Sequence, residues 1–276
     1  MQFTINCRLV YQVIGSGSFL FNVAVARNSF QRVISEDIEI TGGESVEEGL
    51  QSGQRLHRVI ASNGRLELTY NAVVSIEAEL LEANGLHMAP LHELPSEALV
   101  FLYPSRFCQS DLLGRFARRE FTNIESGFER LSRICNWIYE YVEYLQGTTN
   151  SSTSAFDTAT QRAGVCRDFA HLGIALCRAL GIPARFVSGY AYGLNPPDFH
   201  AYFEAFLGGR WLLADATRLA PPTSFIRIGQ GRDAADTSFA TIFGNASLTE
   251  MRISNELVNP DLTPQYVAGP ISNCPP

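Results

Sequence analysis

At 276 residues, 46% hydrophobic and 18% charged, the chain is long enough for two domains of ordinary size and too apolar for a disordered one. The formal net charge is -7, all 21 basic residues are arginine and no basic run occurs, which speaks against a nucleic-acid partner. No stretch is apolar over a membrane-spanning length. The start, Met1-Gln2-Phe3-Thr4-Ile5-Asn6, lacks a charged segment followed by an apolar core and a cleavage site, so a cytoplasmic protein without a membrane partner is expected.

The first part reads as β. Residues 3–14, 18–26 and 31–40 are apolar runs rich in Val, Ile and Phe, separated by Gly, Ser or polar turns. Residues 56–62 and 65–76 flank Asn63-Gly64, a strong hairpin signal. Short strands at this spacing predict an N-terminal β-sandwich over residues 1–90. Gly85, Pro90 and Pro95 interrupt residues 83–97 and mark a boundary, with the second domain at 98–276. There the period changes. Phe128, Leu131, Ile134, Cys135, Ile138, Tyr141, Val142 and Leu145 recur at helical spacing over 126–145. Residues 147–154 are a polar stretch, either a substrate lid or a plain surface loop. A second helix is predicted over 165–180, stopped by Gly181 and Pro183. Strands follow at 184–192, 200–207 and 210–217, and one alternating candidate lies near 248–258. The whole is α+β.

Six cysteines without a CxxC pair point to reduced thiols rather than a disulfide framework. Cys7, Cys108, Cys135, Cys177 and Cys274 read as small, mostly buried apolar residues. Cys166 differs because it opens the second predicted helix. The unpaired N–H groups there favour thiolate over thiol and are suited to hold an oxyanion. By position alone, Cys166 fits either a nucleophile or a core thiol.

A base for Cys166 must come from elsewhere. His171 lies five residues on, about 140° round the helix, and reads as a structural or surface histidine. Cys177 returns to the Cys166 face but about 16 Å along the axis, too far for a disulfide. If Gly208-Gly209 is a two-residue turn, Leu207 faces Arg210 and Tyr202 faces Asp215. His200, Tyr202, Glu204 and Phe206 then share a face with Trp211, Leu213, Asp215 and Thr217. His200 and Asp215 become diagonal neighbours, roughly 7–8 Å apart at Cα and within side-chain reach. A carboxylate there fixes the imidazole tautomer. The same pattern also fits an edge hairpin with a solvated end. Asp168 suits the dipole of the first helical turn. Gln161 is a weaker candidate donor to an oxyanion. His87, His92 and Glu93 lack metal-ligand spacing and read as surface residues, so neither metal nor cofactor is expected.

Three segments resemble the core of bacterial transglutaminase-like cysteine proteases: Gly164-Val165-Cys166-Arg167-Asp168-Phe169-Ala170-His171, Arg178-Ala179-Leu180-Gly181-Ile182-Pro183-Ala184-Arg185 and Ser188-Gly189-Tyr190. His200-Ala201-Tyr202-Phe203-Glu204 and Trp211-Leu212-Leu213-Ala214-Asp215-Ala216-Thr217 resemble the histidine and aspartate motifs of that family. Leu102-Tyr103-Pro104-Ser105-Arg106 and Gly231-Arg232-Asp233-Ala234-Ala235-Asp236 resemble its flanking segments, and the β half is similar to the domain usually joined to this core. The resemblance implies a papain-like core with Cys166 as nucleophile at a helix start, packed on an antiparallel sheet, His200 as base and Asp215 as orienter. Two positions depart from the pattern: Tyr202 stands where tryptophan is usual, and Ala216 where proline is usual.

The implied chemistry is attack on an amide carbonyl, leaving a thioester on Cys166. Water resolves it to an acid, which gives hydrolysis of a peptide or isopeptide bond in a peptide or protein substrate. The alternatives are a transglutaminase or a deamidase acting on glutamine side chains, and, from another class, a non-catalytic binding scaffold. The oligomeric state is left open.

Overall fold

A computed structural model describes residues 1–49, 54–121, 124, 126–264, 266–267 and 269–272. In chain order come strands β1 (Gln2–Phe21), β2 (Gln31–Thr41), β3 (Gly43–Gly49), β4 (Arg55–Ala61), β5 (Gly64–Ile76) and the short β6 (Glu79–Leu80). Then follow α1 (Ser96–Leu99), α2 (Ser110–Phe121), α3 (Gly127–Tyr141), β7 (Glu143–Tyr144), α4 (Ala155–Gln161), β8 (Ala163–Gly164) and α5 (Cys166–Ala179). Last are β9 (Ala184–Ala191), β10 (Phe199–Leu207), β11 (Arg210–Ala214), β12 (Phe225–Gly231), β13 (Ala240–Leu257) and β14 (Ile271–Ser272).

The strand alternation of the first residues is clean. Phe3, Ile5, Cys7, Leu9, Tyr11 and Val13 are buried on one face of β1. The two apolar runs read at 3–14 and 18–26 belong in part to this single strand. Its register with β13 slips between Ile14 and Gly17, a bulge that bends it. Past the bend, Phe19 and Phe21 turn back onto Tyr11, with ring centroids 5.4 and 5.8 Å away. The expected sandwich is thus one curled, six-stranded sheet in the order β2-β5-β1-β4-β3, with β13 on the other edge of β1.

The Asn63-Gly64 turn is not a hairpin. β4 pairs with Gly17–Phe21 of β1, while β5 pairs with Gln2–Val13. The two strands lie end to end along one edge of β1, on either side of its bend, so neither has hydrogen bonds left for the other. The turn is docked at that bend, where the Gly15 N–H donates to Asn63 Oδ1 over 3.1 Å.

β13 pairs with β1 from Phe3–Leu257 to Phe21–Ala240. Residues 240–257, read with the second half of the chain, therefore complete the first sheet. They begin eight residues before the predicted strand.

The second half builds a four-stranded antiparallel sheet, β11-β10-β9-β12, against α5. The helix comes very close at Gly173. A Cβ there would lie 2.4 Å from Cε1 of Phe203. Gly173→Val is expected to destabilise the fold by about 2 kcal/mol or more, because the packed core has no room to yield. Urea unfolding should show a lower midpoint at unchanged slope. The two sheets also share a core, in which Tyr190, Ile226 and Ile228 pack with the inward face of β1. The Tyr190 hydroxyl donates to the Val23 carbonyl over 2.7 Å. Among the described residues no helix is long and apolar enough to cross a membrane.

Candidate active site

Cys166 is the first residue of α5. The preceding Val165 offers no side-chain cap, and its own N–H donates to Asp168 Oδ2 over 3.0 Å. Asp168 is fully buried and also accepts from Thr149 Oγ1 at 2.8 Å and from the Arg167 guanidinium at 3.0 Å. The carboxylate thus does more than match the helix dipole. It ties the polar 147–154 stretch to the base of the helix, and Arg167 adds a bond to the Asn150 carbonyl at 2.9 Å. That stretch reads better as a bolted support than as a lid, since none of it lines the cleft described below.

The Cys166 N–H is left free by the helix. The Tyr144 hydroxyl lies beside both that N–H and the Cys166 sulfur. Tyr144 is brought there by the parallel bridge of β7 to β8, in which Tyr144 lies opposite Gly164. Burial pushes its phenol up, and the neighbouring sulfur adds to this. Tyr144 carried no sequence signal, because it reads as the tail of a helix.

The β10–β11 hairpin closes through Gly208-Gly209, both at positive φ (57° and 77°). Leu207 faces Arg210 and Phe203 faces Ala214, the register expected of a two-residue turn. The ladder stops there, so Asp215 lies just past β11 and not in a strand continuing to 217. It still meets His200. Nε2 of His200 is 3.0 Å from Asp215 Oδ2, with both side chains almost wholly buried. With Nε2 taken by Asp215, Nδ1 is the ring nitrogen left for Cys166, whose sulfur acts on the imidazole alongside the carboxylate. Thr217 holds the carboxylate from behind, its N–H donating to Oδ1 at 2.8 Å and its hydroxyl to Oδ2 at 3.0 Å. The sequence reading put Thr217 on this face without giving it that work.

Burial alone would push the His200 imidazole down, but the Asp215 carboxylate, then the Cys166 sulfur, outweigh it and raise the pKa to about 10. The imidazolium therefore persists through neutral pH. A folded-state pKa above the ordinary ~6.5 gives stability that is present below that value and lost as pH rises through the folded one. We expect the wild-type melting temperature to fall as pH approaches about 10. His200→Gln should lack that part of the fall in a parallel pH series.

Cys166 and His200 open onto a cleft of about 310 Å³, walled by Phe186, Ile228 and Phe239 among others. Other residues weighed by sequence lie elsewhere. His171 is wholly buried, stacks on Phe107 with centroids 5.1 Å apart and accepts from the Ala234 N–H, so it is structural and not a surface histidine. Gln161 is exposed and does not line the cleft. Cys7, Cys108 and Cys177 are buried and Cys135 half-buried, while Cys274 lies outside the described residues. His87, His92 and Glu93 are exposed, and no cluster suited to a metal ion occurs among the described residues.

Two family descriptions together match most of the chain. The description of the transglutaminase-like superfamily matches residues 115–216, and that of the bacterial transglutaminase N-terminal domain matches residues 1–97. A crystal structure of a candidate cysteine protease from Cytophaga hutchinsonii aligns at a TM-score of 0.95 and 45% identity, over 99% of this chain and 97% of that one. The chain belongs to the transglutaminase-like superfamily. This transglutaminase-like chain is also 31% identical over 130 residues to an uncharacterized protein of Mycobacterium leprae (strain TN), covering 44% of the chain and 47% of the relative. It is 33% identical over 142 residues to an uncharacterized protein of Mycobacterium tuberculosis (strain H37Rv), covering 46% and 45%. It spans about half the length of the curated relatives it matches.

Proposed function

We propose that the chain is a thiol-dependent acyl-transfer enzyme that hydrolyses a peptide or isopeptide bond through a thioester on Cys166. The observation that carries this reading is one buried imidazole, held by Asp215 at 3.0 Å and lining the same cleft as Cys166. The solved relative from Cytophaga hutchinsonii, described as a candidate cysteine protease, supports the same class.

In this mechanism His200 holds the thiol proton and Cys166 attacks the carbonyl as thiolate. The carbonyl oxygen becomes an oxyanion and takes the Cys166 N–H, which the helix leaves free. As the C–N bond breaks, His200 gives its proton to the leaving amine. A water molecule, deprotonated by His200, then attacks the thioester. The acid departs and the thiol is restored. Asp215 keeps the imidazole in the tautomer that makes both transfers possible. The five described cysteines are free thiols, which fits a reducing compartment such as the cytoplasm.

The test has two parts. Iodoacetamide at about pH 6 should modify Cys166 ahead of the other cysteines, because ordinary thiols with pKa ~8.5 are mostly protonated there. His200→Ala should abolish that preference. Equal, slow modification of all cysteines would favour a scaffold. A peptide library incubated with and without a primary amine then separates the enzyme classes by product mass. Peptide cleavage supports hydrolysis, whereas amine incorporation or glutamine deamidation without cleavage overturns it.

A further inference from the structure

The cleft carries a charge that the chemistry above does not use. Asp198 lines it together with Cys166 and His200. One of its oxygens, Oδ1, accepts from the adjacent Phe199 N–H at 2.7 Å. Among the described residues no arginine forms an ion pair with it. Arg167 also lines the cleft, but its guanidinium is turned to Asp168, Thr149 and the Asn150 carbonyl. The positive charge of His200 acts on Asp198 only through space and without an ion pair, being engaged chiefly by Asp215 and Cys166. Asp198 is therefore a half-buried carboxylate without a dedicated counter-ion, and burial pushes its carboxyl up.

The walls around it suit a long side chain with a cationic tip. Phe199, Phe239 and Ile228 offer apolar surface to a methylene stem. Two hydroxyl oxygens of lining residues, Ser188 Oγ and Thr237 Oγ1, are buried without a hydrogen-bond partner, and Thr237 as a whole is 2% exposed. Unpaired buried acceptors cost stability unless a ligand supplies donors, and an ammonium or guanidinium supplies several.

We propose that the cleft selects a peptide acyl donor bearing a basic side chain, lysine or arginine, close to the bond that is attacked, and that Asp198 reads its charge. This deepens the acyl-transfer reading and rests on it.

The test is built to separate the two ideas. The full chain is alkylated with cationic 2-bromoethylamine, neutral iodoacetamide and anionic iodoacetate, and the rate at Cys166 is read by peptide mapping. In Asp198→Asn the cationic-to-neutral rate ratio should fall about fivefold and the anionic-to-neutral ratio should rise, as expected for one partly screened charge. Asp198→Glu should keep the wild-type ratios, which separates loss of charge from loss of fold. Ratios unchanged in Asp198→Asn overturn the proposal. In the peptide library, wild type should favour Lys or Arg at one fixed position relative to the attacked bond, and Asp198→Asn should flatten that preference. A preference confined to added amines would make the cation an acyl acceptor and overturn the donor assignment. Charge-dependent labelling without turnover of any peptide would keep Asp198 as a cation receptor and overturn the acyl-transfer reading.

Discussion

Replacing Asp215 by asparagine should lower kcat by about 10³- to 10⁴-fold while leaving the fold intact, by the logic of a misoriented imidazole. The geometry dictates which way the new amide sits. Asp215 Oδ1 accepts the Thr217 N–H at 2.8 Å, so an asparagine oxygen must stay there. The NH₂ group then takes the place of Oδ2, 3.0 Å from His200 Nε2, and donates to it. The imidazole proton is forced onto Nδ1, facing Cys166. In that tautomer the ring cannot accept the thiol proton. KM should change little, since Asp215 stands behind His200 and does not itself line the cleft. A kcat within tenfold of wild type would remove Asp215 from the mechanism.

The second large effect concerns stability. Glu204 is wholly buried on β10, between Arg185 at 2.7 Å and the guanidinium of Arg227. Arg185 faces it from β9 and also stacks over the Trp211 ring at 3.9 Å. Glu204 thus ties β9, β10 and β12 together on the sheet that carries His200. Glu204→Ala leaves two buried cations without their shared carboxylate and should destabilise by about 3–5 kcal/mol. Replacing all three charged residues with well-packed apolar ones should cost far less, because the desolvation penalty disappears with the charges. Urea unfolding of both variants decides it, and equal losses would mean that the pairs matter for shape rather than charge.

Local patterns made much of the second half legible. Two glycines in sequence imply a tight turn, and the register that follows brings His200 toward Asp215. The stop at Gly181 and Pro183 bounds the helix that starts at Cys166. What stayed hidden depends on segments far apart in sequence. The contact of Tyr144 with Cys166 needs the short bridge to Gly164, and the Thr149 bond to Asp168 needs the loop to fold back. Asn63-Gly64 misled because a turn signal says nothing about which strand its flanks will pair with, and β1 took both. β13 was read too short because much of it faces solvent, so its polar and apolar residues barely alternate.

The pairing of β13 with β1 has a consequence for the order in which the molecule is made. β1 is synthesised well before its partner along one whole edge, β13, which follows about 220 residues later. That edge remains open on a growing chain through the appearance of Cys166, His200 and Asp215, and an open edge invites wrong pairing. Phe239 and Ala240, which line the cleft, sit where the late strand begins, and the Phe239 carbonyl accepts from the Asn22 N–H at the end of β1. A nascent chain can thus hold Cys166, His200 and Asp215 while one wall of the cleft is still missing. The cleft is complete only once β13 has left the ribosome.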